Sequence, residues 1–98
     1  MTREEVIARL KSAESDLRAL GIGELYLFGS YARGEATEDS DVDVMVAFAP
    51  DSGNRFRTFM TSIDVIQDAV GRPVDVGTAE GFHRLVRAEI DRDSIRVF

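Results

Sequence analysis

Residues Asp41–Phe48, DVDVMVAF, constrain the fold more than any other stretch of this chain. In an extended strand Val42, Val44, Val46 and Phe48 share one face, and Asp41, Asp43, Met45 and Ala47 share the other. Such a strand needs a layer of helices over its valine face, and the flanking sequence supplies them. Thr2-Arg3-Glu4-Glu5 has capping-box spacing, with Thr2 as N-cap and Glu5 reaching back. Val6, Ile7, Leu10, Ala13, Leu17 and Leu20 follow at helical spacing, predicting one helix that Gly21 can end. Leu25–Phe28 is a short apolar run, read as a strand buried on both faces. Ser30–Arg33 has room for one helical turn, and Gly34–Ser40 is a polar loop.

Beyond the break at Pro50-Asp51-Ser52-Gly53, a second amphipathic helix is marked by Phe56, Phe59, Met60, Ile63, Ile66 and Val70. These apolar positions are expected in the core. Gly71 closes that helix, with Pro73 beyond it. Val74–Val76 reads as a third strand carrying Asp75. Thr78 is expected to cap a last helix with Phe82, Leu85, Val86 and Ile90 inward, and Ile95–Phe98 reads as a fourth strand. The order αβ(α)βαβαβ predicts a single α/β (α+β) domain over residues 1–98, a small mixed β-sheet covered by helices.

Composition narrows the partners. No apolar run approaches the ~18–20 residues that span a bilayer, and no charged-then-apolar leader opens the chain. Cysteine is absent, which excludes disulfides and thiolate metal sites and fits a cytoplasmic protein with no membrane partner. Eighteen acidic against 12 basic residues give a net charge of −6, which argues against direct nucleic-acid binding.

Polar residues alternating with valines are also what any half-exposed strand shows. Three features favour more than that. Aspartate is a poor strand former. Asp41 and Asp43 would sit roughly 7 Å apart on one face, repelling unless a cation lies between them. Asp75 is a third carboxylate within a short β run, and adjacent strands in register would bring all three together. Hard divalent cations such as Mg²⁺ need such an oxygen cluster. Gly29-Ser30, directly after a buried strand, could cradle a phosphate, since glycine admits close approach to the backbone and serine offers a hydroxyl. The same residues also make an ordinary turn. A cradle beside clustered carboxylates is the layout for metal ions gripping a triphosphate.

Gly29-Ser30-Tyr31-Ala32-Arg33-Gly34 followed by Ser40-Asp41-Val42-Asp43 closely resembles the GSxARGx₅SDxD signature of the minimal nucleotidyltransferases, within the DNA polymerase β-like nucleotidyltransferase superfamily. Arg72-Pro73-Val74-Asp75-Val76 is similar to that family's third-carboxylate strand, so the match runs from about Leu25 to Val76. The resemblance implies a polymerase β-like palm. It implies that Gly29 and Ser30 hold ATP phosphates, with Ser40 and Arg33 in the nucleotide-binding motif. Asp41 and Asp43 would bind two Mg²⁺ ions (Mn²⁺ being an alternative), and Asp75 would complete the catalytic set. For Arg33, bracing the turn against acidic neighbours is favoured over phosphate contact. Relatives of this size are often encoded beside a HEPN-domain toxin and act as its antitoxin, by adding AMP to it, by complex formation, or both. The expectation is AMP transfer from ATP to a hydroxyl of that partner; the alternatives are a non-catalytic binding protein and a plain interaction module. His83, the only histidine, reads as a surface or partner-contact residue rather than a catalytic one.

Overall fold

The computed structural model describes residues 1–51, 53–78 and 92–98. Helices α1 (Arg3–Ser12) and α2 (Glu14–Leu20) lead into strand β1 (Ile22–Phe28) and a short helix α3 (Gly29–Arg33). Strand β2 (Val42–Phe48), helix α4 (Arg55–Val70) and strands β3 (Val74–Thr78) and β4 (Ile95–Arg96) complete the order. The four strands form one mixed sheet in the order β3-β2-β1-β4. β1 runs antiparallel to β2 and β4, whereas β2 and β3, joined through α4, are parallel. The architecture is the expected mixed sheet packed by helices.

Thr2 caps α1, its Oγ1 accepting from the Glu5 N–H at 3.1 Å. The expected single helix over Val6–Leu20 is in fact two. The Ser12 hydroxyl donates to Arg9 O at 2.6 Å, and the Ala13 N–H turns back to Leu10 O at 3.1 Å, so the regular ladder stops there. The bend still delivers Leu10, Ala13 and Leu17 to the core. β1 starts at Ile22, earlier than the apolar run, with an irregularity between Ile22 and Glu24 where it pairs with β2. It is not buried on both faces: Leu25 and Leu27 are buried, while Tyr26 and Phe28 are only half-buried.

The valines of β2, Val42, Val44 and Val46, are fully buried, while Phe48 at the end of that face is half-buried. Above the valines lie Val6, Leu10 and Leu17 of the first two helices and Ile66 and Val70 of α4. Phe56 and Met60, expected in the core, are 76% and 49% exposed. Their places are taken by Thr58 and Ser62, one face of α4 away. Both hydroxyls are satisfied, Thr58 donating across to Leu20 O at 3.0 Å and Ser62 within its own helix to Phe59 O at 2.6 Å.

β3 is longer than Val74–Val76, because pairing with β2 extends it to Thr78, opposite Val46. Thr78 is thus the last residue of that strand. The helix expected to follow it, with Phe82, His83, Leu85, Val86 and Ile90, lies outside the described residues. β4 is a two-residue strand. The buried Val97 and Phe98 after it continue backbone bonds to Leu25.

Candidate active site

Parallel pairing of β2 and β3 sets Asp43 directly beside Asp75. Their side chains rise from the sheet face opposite the valines. The two carboxyl groups are close enough to press on each other, which favours the protonated form of Asp43. Asp43 is pushed up from 3.8 to about 6, first by burial, then by its neighbour Asp75, then by Asp41, with Arg33 opposing. Asp41 therefore lies within electrostatic reach, but it is exposed and precedes the first residue of β2. Among the described residues no group of three acidic or histidine side chains is drawn together closely enough to hold a metal ion. The structure thus brings together two of the three expected carboxylates and leaves the third at the rim.

Gly29 explains part of the crowding. Its φ of +76° lies in the region that side-chain-bearing residues avoid. A Cβ there would collide with the Asp43 carboxylate oxygen and stand 3.2 Å from its Cγ. The glycine therefore admits the Asp43 carboxylate itself, in addition to any phosphate. Ser30 follows as the second residue of α3, half-buried, and its carbonyl accepts from the Glu35 N–H at 2.9 Å. Its hydroxyl has no partner among the described residues. A cleft of about 330 Å³ opens beside the pair, lined by Phe28, Asp43, Asp75, Val76 and Gly77. A slightly larger depression of about 370 Å³ beside Arg3, Tyr31 and Gly34 contains neither aspartate, and the chemistry does not lie there.

The remaining motif residues are structural in their contacts. Arg33 Nε donates to Glu35 at 3.1 Å, which braces the turn that α3 begins. The Ser40 hydroxyl accepts from the Thr37 N–H at 2.8 Å and lies 3.3 Å from the Thr37 hydroxyl, so it closes the loop rather than facing the cleft. Sequence reasoning gave Arg72 no role. Its guanidinium donates to the Tyr31 hydroxyl at 3.2 Å, to Glu38 O at 3.2 Å and to Ser40 O at 3.3 Å. One side chain thus ties α3 and the loop before Asp41 to the start of β3, three residues ahead of Asp75. The available signal was its place within the Arg72–Val76 motif.

The model of the family described as "Nucleotidyltransferase domain" matches residues 5–97. The chain belongs to that family. A Methanocaldococcus jannaschii protein provisionally named a protein adenylyltransferase is 38% identical over 77 residues, covering 78% of this chain and 77% of that protein. A solved structure provisionally named a minimal nucleotidyltransferase superposes with a TM-score of 0.82 at 32% identity, covering 97% of this chain and 95% of that one. A further structure, of a tri-AMPylated Shewanella oneidensis HEPN toxin in complex with its MNT antitoxin, shares the fold with a TM-score of 0.66 at 15% identity, covering 99% and 72%. The chain is therefore a nucleotidyltransferase of the minimal type. In this minimal nucleotidyltransferase two parallel strands, β2 and β3, bear Asp43 and Asp75.

Proposed function

We propose that this minimal nucleotidyltransferase moves AMP from ATP onto a hydroxyl of a HEPN-domain toxin in the cytoplasm and is that toxin's antitoxin. The observation that carries the reading is the in-register Asp43–Asp75 pair with the Gly29 turn packed directly on it. An oxygen-only pair in which burial and the neighbouring charge disfavour the ionised Asp43 is suited to a hard divalent cation, which would relieve that repulsion. Asp43 and Asp75 would hold it, with Asp41 joining from the rim to hold a second. Bound Mg²⁺ or Mn²⁺ supplies positive charge to the triphosphate and to the departing pyrophosphate.

The chain's own residues do the rest. Gly29 and Ser30 hold the terminal phosphates, through the open backbone and the unpartnered hydroxyl. Asp75 takes the proton of the acceptor hydroxyl as its oxygen bonds to the α-phosphorus. The bond from the α-phosphorus to the bridging oxygen breaks, and pyrophosphate leaves. Arg33 keeps the turn in shape through Glu35, and Ser40 and Arg72 keep the loop before Asp41 in place. The protein acceptor is supported by the relative named as a protein adenylyltransferase and by the AMPylated toxin in the complex that shares the fold. A net charge of −6 makes free nucleic acid a poor alternative. A second reading, neutralisation by complex formation alone, draws on Asp41 standing outside the carboxylate pair.

The test is to incubate the protein and its genomic HEPN neighbour with Mg²⁺ and ATP labelled at either the α- or the γ-phosphate. Label retained on the neighbour from the α-position alone, and lost with Asp43→Asn, is the expected result. No label from either position, with the toxin still inactivated, would establish the second reading instead.

A further inference from the structure

Charge along α1 and α2 follows the helix dipole, whereas α4 reverses it. α1 starts with Glu4 and Glu5 and ends with Arg9 and Lys11; α2 starts with Glu14 and Asp16 and ends with Arg18. α4 has no acid in its first turn and no base in its last. Arg55 and Arg57 stand at its N-terminus, Asp68 lies in its last turn, and Asp64 is one turn earlier. Arg55, Arg57 and Asp68 oppose the dipole of their own helix, Arg55 also stacking over the Phe48 ring at 5.4 Å. The same helix carries the largest apolar exposure of the described residues, Phe56 at 76%, with Met60 one turn on at 49%. Thr58, Ser62, Ile66 and Val70 face the core from the opposite side. Arg57, Asp64 and Asp68 are exposed on the outer side with Phe56 and Met60, and none has an ion-pair partner among the described residues. A local rule broken at an exposed apolar face needs a compensating contact elsewhere.

We propose that α4 is a self-association surface on which a second copy of this chain lays its own α4 antiparallel. The face is its own complement. Antiparallel docking sets Arg57 against the Asp64–Asp68 end of the second copy, twice about one two-fold axis, with Phe56 and Met60 between the helices. It also sets each misplaced charge beside the opposite end of the neighbouring helix dipole. Parallel docking would oppose like charges. A uniformly basic partner would meet Arg57 unfavourably, and a uniformly acidic one would meet Asp64 and Asp68. A helix of 16 residues is about 24 Å long, and its contact falls short of the roughly 800 Å² per partner of a standard interface. The dimer is accordingly weak and salt-sensitive.

Sedimentation velocity from micromolar to millimolar protein tests this, at about 0.1 M and about 1 M salt. The expected result is concentration-dependent dimerisation at low salt that fades at high salt. Arg57→Glu should weaken it by about ten-fold, because the lost pair recurs across the two-fold. Arg57→Glu places an acid in the first turn, where the dipole favours it, so the monomer's melting temperature should hold or rise. Loss of association then cannot be assigned to unfolding. Adding Asp64→Arg to Arg57→Glu should restore the dimer, and Phe56→Ser should abolish it. A monomer throughout the range, or a dimer indifferent to Arg57→Glu and Phe56→Ser, overturns the proposal. Protection of α4 amides from exchange only with a different protein bound also overturns it, and gives the face to that protein.

Discussion

Asp43 shows how one residue can be costly to the fold and useful to the site. Its carboxyl ionises near pH 6 in the folded protein against 3.8 in the unfolded chain. Between those values the folded state binds more protons, so the stability tied to Asp43 is complete below about pH 4 and is lost as pH rises through about 6. Discounted for solvent screening at a half-open site, the loss is on the order of 1 kcal/mol. Metal-free wild type should therefore lose a few degrees of melting temperature relative to Asp43→Asn between pH 4.5 and pH 7, the variant being equally or more stable at pH 7. Calorimetric melts of both proteins across that range decide it. A variant that melts lower at pH 7 would make Asp43 a structural residue. Gly29 is bound to the same carboxylate. Gly29→Ala should destabilise by about 1–3 kcal/mol, from left-handed strain plus the collision with Asp43. In an Asp43→Ala background only the strain remains, so denaturant titrations of the four proteins in the cycle should give a smaller cost there. Equal costs in both backgrounds would mean that the two residues do not press on each other.

Among the elements, those with a strong period and a stop signal were legible. α4 is the clearest, its apolar residues recurring to Gly71, and β2 follows its valine alternation. What escaped was decided by partners. Leu10, Ala13 and Leu17 recur smoothly through a break that the Ser12 hydroxyl helps to make, so no apolar period reveals it. Thr58 and Ser62 enter the core because Leu20 O and Phe59 O accept their protons, while Phe56 and Met60 stay outside. β1 begins at Ile22 and β3 continues to Thr78 because β2 is there to pair with them. At the site, Asp41, Asp43 and Asp75 could be picked out as residue types in a pattern. Arg72 could not, since its acceptors are a phenol and two carbonyls more than 30 residues away in sequence. Arg72→Ala should loosen the loop before Asp41. Its amides, Ser40 foremost, should exchange on the order of ten-fold faster while β1 and β2 are unchanged, as expected for local opening. Arg72→Lys should recover only part of the protection, because one ammonium cannot span three separated acceptors. Exchange unchanged by Arg72→Ala would show that the Thr37–Ser40 turn holds the loop unaided.

At the scale of the whole molecule, two parallel strands carry Asp43 and Asp75, and the sheet order puts them at one side of a four-stranded layer. The helices cover the valine face, and the cleft beside Asp43 and Asp75 opens on the other. The cleft there is about 330 Å³, and among the described residues Phe28, Val76 and Gly77 line it beside the acids. If the acceptor is chosen by contacts with the proposed partner, catalysis and partner binding sit on different surfaces. Catalysis and partner binding should then be separable. An Asp41→Asn, Asp43→Asn double variant keeps the backbone and removes two negative charges. Co-expressed with the proposed HEPN partner, it should still co-purify with that protein, whereas intact mass spectrometry should find AMP increments on the partner with wild type alone. The toxin's activity in the two co-expressions then assigns neutralisation. An active toxin beside the double variant makes transfer necessary, because binding persists without it. An inactive toxin carrying no increment makes the contact sufficient, and the Asp43–Asp75 pair would then serve a reaction that neutralisation does not require.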